Sequence, residues 1–255
     1  MQDTALLALK LLDLTSLNDS DNDQTVEQLS ERAGTTDQHV AALCVMPGLV
    51  AHAAEALARR GLQGRVKVAT VVNFPSGDDP ATSVVDQVRS ALTSGADEID
   101  LVFPYRSLIN GDERSGYQLV SRCRQACSGH VLKVILETGE LKSGELIRSA
   151  CESALAAGAD FLKTSTGKVA VNATPAAATT MMETIRDSGR PTGFKASGGI
   201  RTTEDAAVYL ELAKEILGEQ WLRPERFRFG ASSLLNDLLS KLGSQSRPVD
   251  LRNRY

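Results

Sequence analysis

Two hydrophobic rhythms alternate along the chain. Short apolar runs, with side chains directed to two sides in turn, give way to polar or glycine-bearing turns and then to longer stretches whose apolar positions recur at helical spacing. The first rhythm predicts strands at Asp13–Leu17, Val40–Val45, Arg65–Val72, Glu98–Phe103, Val131–Glu137, Asp160–Thr164, Thr192–Ala196 and Arg226–Gly230. The second predicts helices at Thr25–Ala33, Leu49–Arg60, Ala81–Ser94, Gly116–Cys127, Ser143–Ala157 and Pro175–Ser188, another starting near Thr202, and a last one at Ser232–Leu242. Asn73–Gly77, Thr138–Gly139 and Ser197–Gly199 read as turns.

A strand-then-helix unit of roughly thirty residues, repeated eight times, is the arithmetic of an α/β fold of the (β/α)8 barrel type. An open, doubly wound sheet shows the same alternation, but polar residues on many separate strands converge only in a closed ring. An amphipathic segment, Met1–Leu12, precedes the first strand and is expected to cover one barrel end. Nothing in the composition divides residues 1–242, which predicts a single domain, and the polar segment 243–255 reads as a mobile tail.

Alternation then sorts the strand residues by face. In EIDLVF, Ile99, Leu101 and Phe103 point toward the helices, whereas Asp100 and Val102 point toward the axis. The same period groups Asp13 with Thr15, Lys133 with Ile135 and Glu137, Phe161 with Lys163, and Lys195 with Gly193 and Ser197. One interior would therefore hold Asp13, Asp100, Lys133, Glu137, Lys163 and Lys195. Desolvating so many charges is costly and its stability return uncertain, so chemistry accounts for them better than a self-satisfied ion-pair network does. Lys163 and Lys195 fall on consecutive strands, about 4.8 Å apart. Each is expected to depress the other's pKa, leaving one amine free to form a Schiff base with a carbonyl while the other keeps its charge. Spacing alone favours Lys163 as the reacting amine only weakly.

The formal net charge of -4 and pI near 5.5 give no reason to expect nucleic acid or a membrane as partner, so any affinity for phosphate has to be local. Cys44, Cys123, Cys127 and Cys151 lack metal-ligand spacing, and His39, His52 and His130 are scattered, which argues against a zinc-dependent mechanism. No apolar leader of signal-peptide type opens the sequence, and the reading is a cytoplasmic protein with reduced thiols.

Local anion sites are indeed suggested. Ser197-Gly198-Gly199-Ile200-Arg201-Thr202 follows the seventh strand, Phe229-Gly230-Ala231-Ser232-Ser233 follows the eighth, and each opens a helix. Glycines let backbone N–H groups approach an anion, helix starts favour negative charge, and the loops after strands 7 and 8 are where barrels commonly hold phosphate. The loop after Lys163 is rich in hydroxyls and carries Gly167 and Lys168 before Thr174-Pro175 starts a helix. The tail, with Arg247, Arg252, Arg254 and a terminal Tyr255, reads either as a disordered end or as a lid that folds over the barrel mouth and brings its phenol to the substrate.

Taken in order, DLT at Asp13, CVMP at Cys44, TVVNFPSG at Thr70, EIDLVFPY at Glu98, LKVILETGEL at Leu132, DFLKTSTGKVAVNATP at Asp160, GFKASGGIRT at Gly193 and RFGASSL at Arg228 resemble the deoxyribose-phosphate aldolases, which are class I aldolases. KTSTGK and GFKxxGG are the most specific of these motifs. The resemblance implies a Schiff-base lysine at Lys163, an activating lysine at Lys195 and a proton-shuttling aspartate at Asp100. It implies substrate contacts from Asp13, Lys133 and Thr166, and a phosphate site at Gly167, Lys168, Gly198, Gly199, Ser232 and Ser233. The implied reaction is reversible cleavage of 2-deoxy-D-ribose 5-phosphate to D-glyceraldehyde 3-phosphate and acetaldehyde, an aldehyde-lyase reaction requiring no metal or organic cofactor. A homodimer is the expected assembly. Another Schiff-base sugar-phosphate aldolase or transaldolase, and a non-catalytic barrel that binds a phosphosugar, are the alternatives.

Overall fold

Eight short parallel strands close into a ring in sequence order, with β8 returning to pair with β1. The computed structural model describes residues 1–35 and 37–243; Tyr255 and the rest of the predicted lid lie outside the described residues. The strands are β1 (Leu12–Thr15), β2 (Ala42–Val45), β3 (Lys67–Val72), β4 (Glu98–Val102), β5 (Val131–Ile135), β6 (Phe161–Lys163), β7 (Gly193–Ser197) and β8 (Phe227–Ala231). Around them run α1 (Gln2–Lys10), α2 (Asp23–Arg32), α3 (Val50–Arg59), α4 (Ala81–Thr93), α5 (Tyr105–Ile109), α6 (Glu113–Ala126), α7 (Thr138–Leu141), α8 (Gly144–Ala156), α9 (Pro175–Ser188), α10 (Thr203–Leu217) and α11 (Leu234–Lys241). Among the described residues no helix is long and apolar enough to cross a membrane.

Local chemistry sets the helix ends. Thr174 caps α9 by accepting from the Ala177 N–H with Pro175 in the first turn, and Thr202 and Asp205 form the capping box of α10. Several expected boundaries move. α5 and the four-residue α7 were not anticipated, because elements this short cannot display a helical period; Thr138–Gly139 is the start of α7 and not a simple turn. β5 stops at Ile135, and Glu137, at φ 57°, sits in the left-handed region just before α7. α1 packs on α10 and α11, burying Ala5, Ala8 and Leu9. α11 begins at Leu234, so Ser232 and Ser233 precede it, with Ser233 as its N-cap residue.

Outward strand residues such as Leu14, Ile99, Leu132, Leu162, Phe194 and Phe229 are sealed beneath the helices, with Phe227 edge-on to Phe229 at 5.0 Å between centroids. The interior is divided instead. Ala42, Cys44, Ala69 and Val71 make an apolar wall on β2 and β3. The rest of the ring faces that wall with charge.

Candidate active site

Strand register brings the charged side chains together before any side-chain contact is considered. Asp100 on β4 is paired with Lys133 on β5, Lys163 on β6 with Lys195 on β7, and Lys195 with Arg228 on β8. Two glycines make room for the long side chains. A Cβ on Gly193 would lie 2.4 Å from the Phe161 ring, and one on Gly230 would lie 2.5 Å from Ser197 Oγ and 3.0 Å from Lys195 Cε.

Asp100 is the hub. Its Oδ2 accepts from Lys163 Nζ at 2.9 Å and from Lys195 Nζ at 2.8 Å, while its Oδ1 accepts from Lys133 Nζ at 2.9 Å. Lys195 also reaches Asp13 Oδ2 at 2.5 Å, and Lys133 reaches Glu98 Oε2 at 2.6 Å. Arg228 closes the circuit through Asp13 Oδ1 at 2.5 Å and Glu98 Oε1 at 2.8 Å. Every one of these side chains is buried.

Burial and pairing pull the lysines apart. Burial is the largest influence on Lys163 and lowers its pKa; Asp100 opposes it and the charge on Lys195 adds to the lowering, so the net direction is down. Lys195 feels the same burial, but Asp100 and Asp13 together outweigh it and its pKa rises. Lys133 likewise moves up, because Asp100 and Glu98 overcome its desolvation. Mutual depression of two lysines is thus corrected: Lys195 has a second carboxylate and stays an ammonium, whereas Lys163 is lowered mainly by desolvation against the apolar interior. Burial raises the carboxyl pKa of Asp100, yet Lys133, Lys163 and Lys195 reverse this and hold it well below the usual range.

Glu137, expected inside, and Thr166, expected at the substrate, are buried near the strand C-termini but do not bond to the interior lysines. Thr166 donates its backbone N–H and its hydroxyl to the Glu137 carboxylate and accepts from the Lys168 N–H. Burial raises the pKa of Glu137. The loops after β6, β7 and β8 abut one another. The Ala173 N–H donates to Ser197 O, the Gly198 N–H to Gly230 O, and a Cβ on Gly198 (φ 80°) would lie 2.6 Å from Asn172. The candidate phosphate residues therefore stand on one rim: Gly167 and exposed Lys168 after β6, Gly198 and exposed Gly199 after β7, and buried Ser232 with Ser233 after β8.

Sequence reasoning missed Glu98 and Arg228. Both were legible by alternation, since Glu98 stands two residues before Asp100 and Arg228 two before Gly230. Ser165 and Ser197 each bury a hydroxyl that has no hydrogen-bond partner among the described residues. Such groups are ordinarily paired.

A family model described as DeoC/LacD family aldolase matches residues 7–240. Among solved structures, one described as "a putative deoxyribose-phosphate aldolase from Toxoplasma gondii ME49" is 27% identical with a TM-score of 0.87, covering 96% of each chain. One described as "a putative deoxyribose-phosphate aldolase from Coccidioides immitis" is 30% identical with a TM-score of 0.78, covering 91% of this chain and 85% of its own. The deoxyribose phosphate aldolase of Aeropyrum pernix, described as having a unique tetrameric structure, is 26% identical with a TM-score of 0.75, covering 96% of this chain and 97% of its own.

Proposed function

The chain belongs to the DeoC/LacD aldolase family, and from that premise we propose that it reversibly cleaves 2-deoxy-D-ribose 5-phosphate to D-glyceraldehyde 3-phosphate and acetaldehyde through a Schiff base on Lys163. One observation carries the reading. Lys163 and Lys195 share a single carboxylate oxygen, yet only Lys195 has a second anion, so Lys163 is the amine poised to be neutral. The relatives described as deoxyribose-phosphate aldolases support the substrate.

Chemically, the neutral Lys163 Nζ attacks C1 of the open-chain aldehyde and the carbinolamine loses water to give an iminium. The C2–C3 bond then breaks as the C3 hydroxyl gives up its proton, and the bonding pair moves into a C1–C2 enamine. Release of D-glyceraldehyde 3-phosphate leaves that enamine to be protonated at C2, and water hydrolyses the new iminium to acetaldehyde and free Lys163. Lys195, held as an ammonium, supplies protons, and Asp100 relays them with a bridging water. Because its pKa is depressed, Asp100 carries a proton only transiently. Asp13 and Lys133 fix the two working groups, Thr166 shapes the substrate pocket, and the backbone N–H groups around Gly167, Lys168, Gly198, Gly199, Ser232 and Ser233 receive the phosphate.

The test is turnover. Purified protein with 2-deoxy-D-ribose 5-phosphate should release acetaldehyde faster than it cleaves fructose phosphates; a preference for the latter removes the substrate assignment while leaving an aldolase.

A further inference from the structure

Glu98 and Arg228 sit at the opposite end of the barrel from the rim loops. Both line a cavity of about 590 Å3 at the N-terminal ends of the strands, yet both are nearly inaccessible and bonded into the interior cluster. Contacts run without a break from this floor to the proposed nucleophile. Arg228 Nη1 meets Asp13 Oδ1 at 2.5 Å, Asp13 Oδ2 meets Lys195 at 2.5 Å, and Lys195 and Lys163 meet on Asp100 Oδ2. On the other side, Arg228 Nη2 meets Glu98 at 2.8 Å and Glu98 meets Lys133 at 2.6 Å.

Charge arithmetic over this cluster is informative. The anions are Asp13, Glu98 and Asp100, all with pKa values held down, and the cations other than Lys163 are Lys133, Lys195 and Arg228, all with pKa values held up. Within this bonded network three charges oppose three, so it is balanced while Lys163 is uncharged; Glu137 stands outside it on Thr166, and burial pushes that carboxyl toward its neutral form. We propose that Glu98 and Arg228 are positioning residues that set this balance from the barrel floor and thereby keep the Lys163 amine neutral. The inference rests on the reading of Lys163 as the imine-forming lysine. Neither residue touches substrate: Arg228 occupies one oxygen of Asp13 and leaves the other for Lys195, and Glu98 holds Lys133 against Asp100.

The groups around Lys163 constrain what a change at the floor can do. Asp100 on β4, Lys195 on β7 and Cys44 on β2 act on it directly, Glu137 faces it from the turn after β5, and Asp13 and Lys133 act through Lys195 and Asp100; burial raises the Cys44 thiol pKa, so it adds no charge. Removing the Arg228 charge leaves a surplus anion that a proton on Lys163 neutralises. Removing the Glu98 charge leaves a surplus cation that repels such a proton. The two changes therefore act in opposite directions on one amine, which a merely structural ion pair would not produce.

The experiment is the pH dependence of imine formation with acetaldehyde, trapped by borohydride and mapped at Lys163, in wild type, Glu98→Gln, Arg228→Met, the double variant and Arg228→Lys. The acid limb of the rate should move up by roughly one pH unit in Arg228→Met, move down in Glu98→Gln, and return toward wild type in the double variant. Arg228→Lys, which keeps the charge, should stay with wild type. Should Arg228→Met not fold, the near-isosteric Glu98→Gln decides alone: a downward shift supports the proposal, and no shift or an upward one overturns it. A wild-type imine at Lys163 with unmoved or like-signed shifts overturns this inference only. Absence of any wild-type imine at Lys163 overturns both it and the reading beneath it.

Discussion

Lys163 and Lys195 are register partners on adjacent strands, and their amino nitrogens converge on one oxygen, Asp100 Oδ2, at 2.9 and 2.8 Å. What separates them is Asp13 on β1, which reaches Lys195 at 2.5 Å past the intervening β8. A second carboxylate fixes one lysine as an ammonium. The other is left with burial as the dominant influence on its proton.

Replacing Lys195 by Leu should therefore remove an acid and also protonate Lys163. The interior would carry an uncompensated anion, which a proton on Lys163 satisfies, so its pKa should rise. Turnover at neutral pH should fall at least 100-fold, a typical scale for loss of one acid–base group, and the residual pH optimum should move upward. A profile that keeps its wild-type position would show the two lysines to be uncoupled.

Asp100→Asn separates proton transfer from imine formation. The amide retains the shape of the hub but gives up its charge, and the surplus positive charge drives the Lys163 pKa lower still. Trapping of acetaldehyde at Lys163 should survive at neutral pH, while turnover drops by roughly 100-fold or more. Single-turnover trapping beside steady-state assays would reveal the split; parallel losses in both would contradict it.

Stability should respond oppositely to two superficially similar changes. Lys163 has a folded-state pKa below its unfolded value, so the unfolded chain binds more protons and stability rises with pH between the two values. Below that window its burial is a cost, and Lys163→Met should leave stability unchanged or higher at neutral pH. Lys133 has a raised pKa, so its contribution is fully present below the unfolded value of 10.5 and is lost as pH rises through the folded one. Lys133→Met takes one partner from Asp100 and one from Glu98, leaves a buried negative charge uncompensated, and should cost about 3–5 kcal/mol. Urea unfolding at neutral pH distinguishes the cases, and equal losses would show that the cluster's charge balance does not govern stability.

On the rim, Ser233 stands at the N-cap position of α11 but its side chain makes no capping hydrogen bond, so replacing it removes none, and a carboxylate suits a helix start. Ser233→Asp should keep the fold while placing a negative charge at the proposed phosphate site. KM for 2-deoxy-D-ribose 5-phosphate should rise several-fold, with unphosphorylated deoxyribose affected much less. Equal effects on the two sugars would place the phosphate elsewhere.

Much of this arrangement was legible from alternation. Period two put Asp13, Asp100, Lys133, Lys163 and Lys195 in one interior, and each is there. Glu98 and Arg228 follow the same rule but lie toward the strand starts, away from the end where barrel sites gather. Strand ends were overextended where buried residues flank the ladder, as at Val40 and Ala41. The upward shift of Lys195 was beyond local reading, because it depends on Asp13, which β8 separates from β7 in the ring. Glu137 illustrates the opposite error: it obeys the period on paper, but the chain turns to φ 57° there and directs its carboxylate to Thr166.

Lys163, alone among the interior lysines, is the one proposed to form the imine. Borohydride reduction in the presence of acetaldehyde, followed by peptide mapping, tests it most directly. A stable Nζ-ethyl group should appear on the peptide that contains Lys163, formed in the native protein and lost in Lys163→Met. An ethyl group found on Lys133 or Lys195 instead, or no modified interior lysine at all, would contradict it.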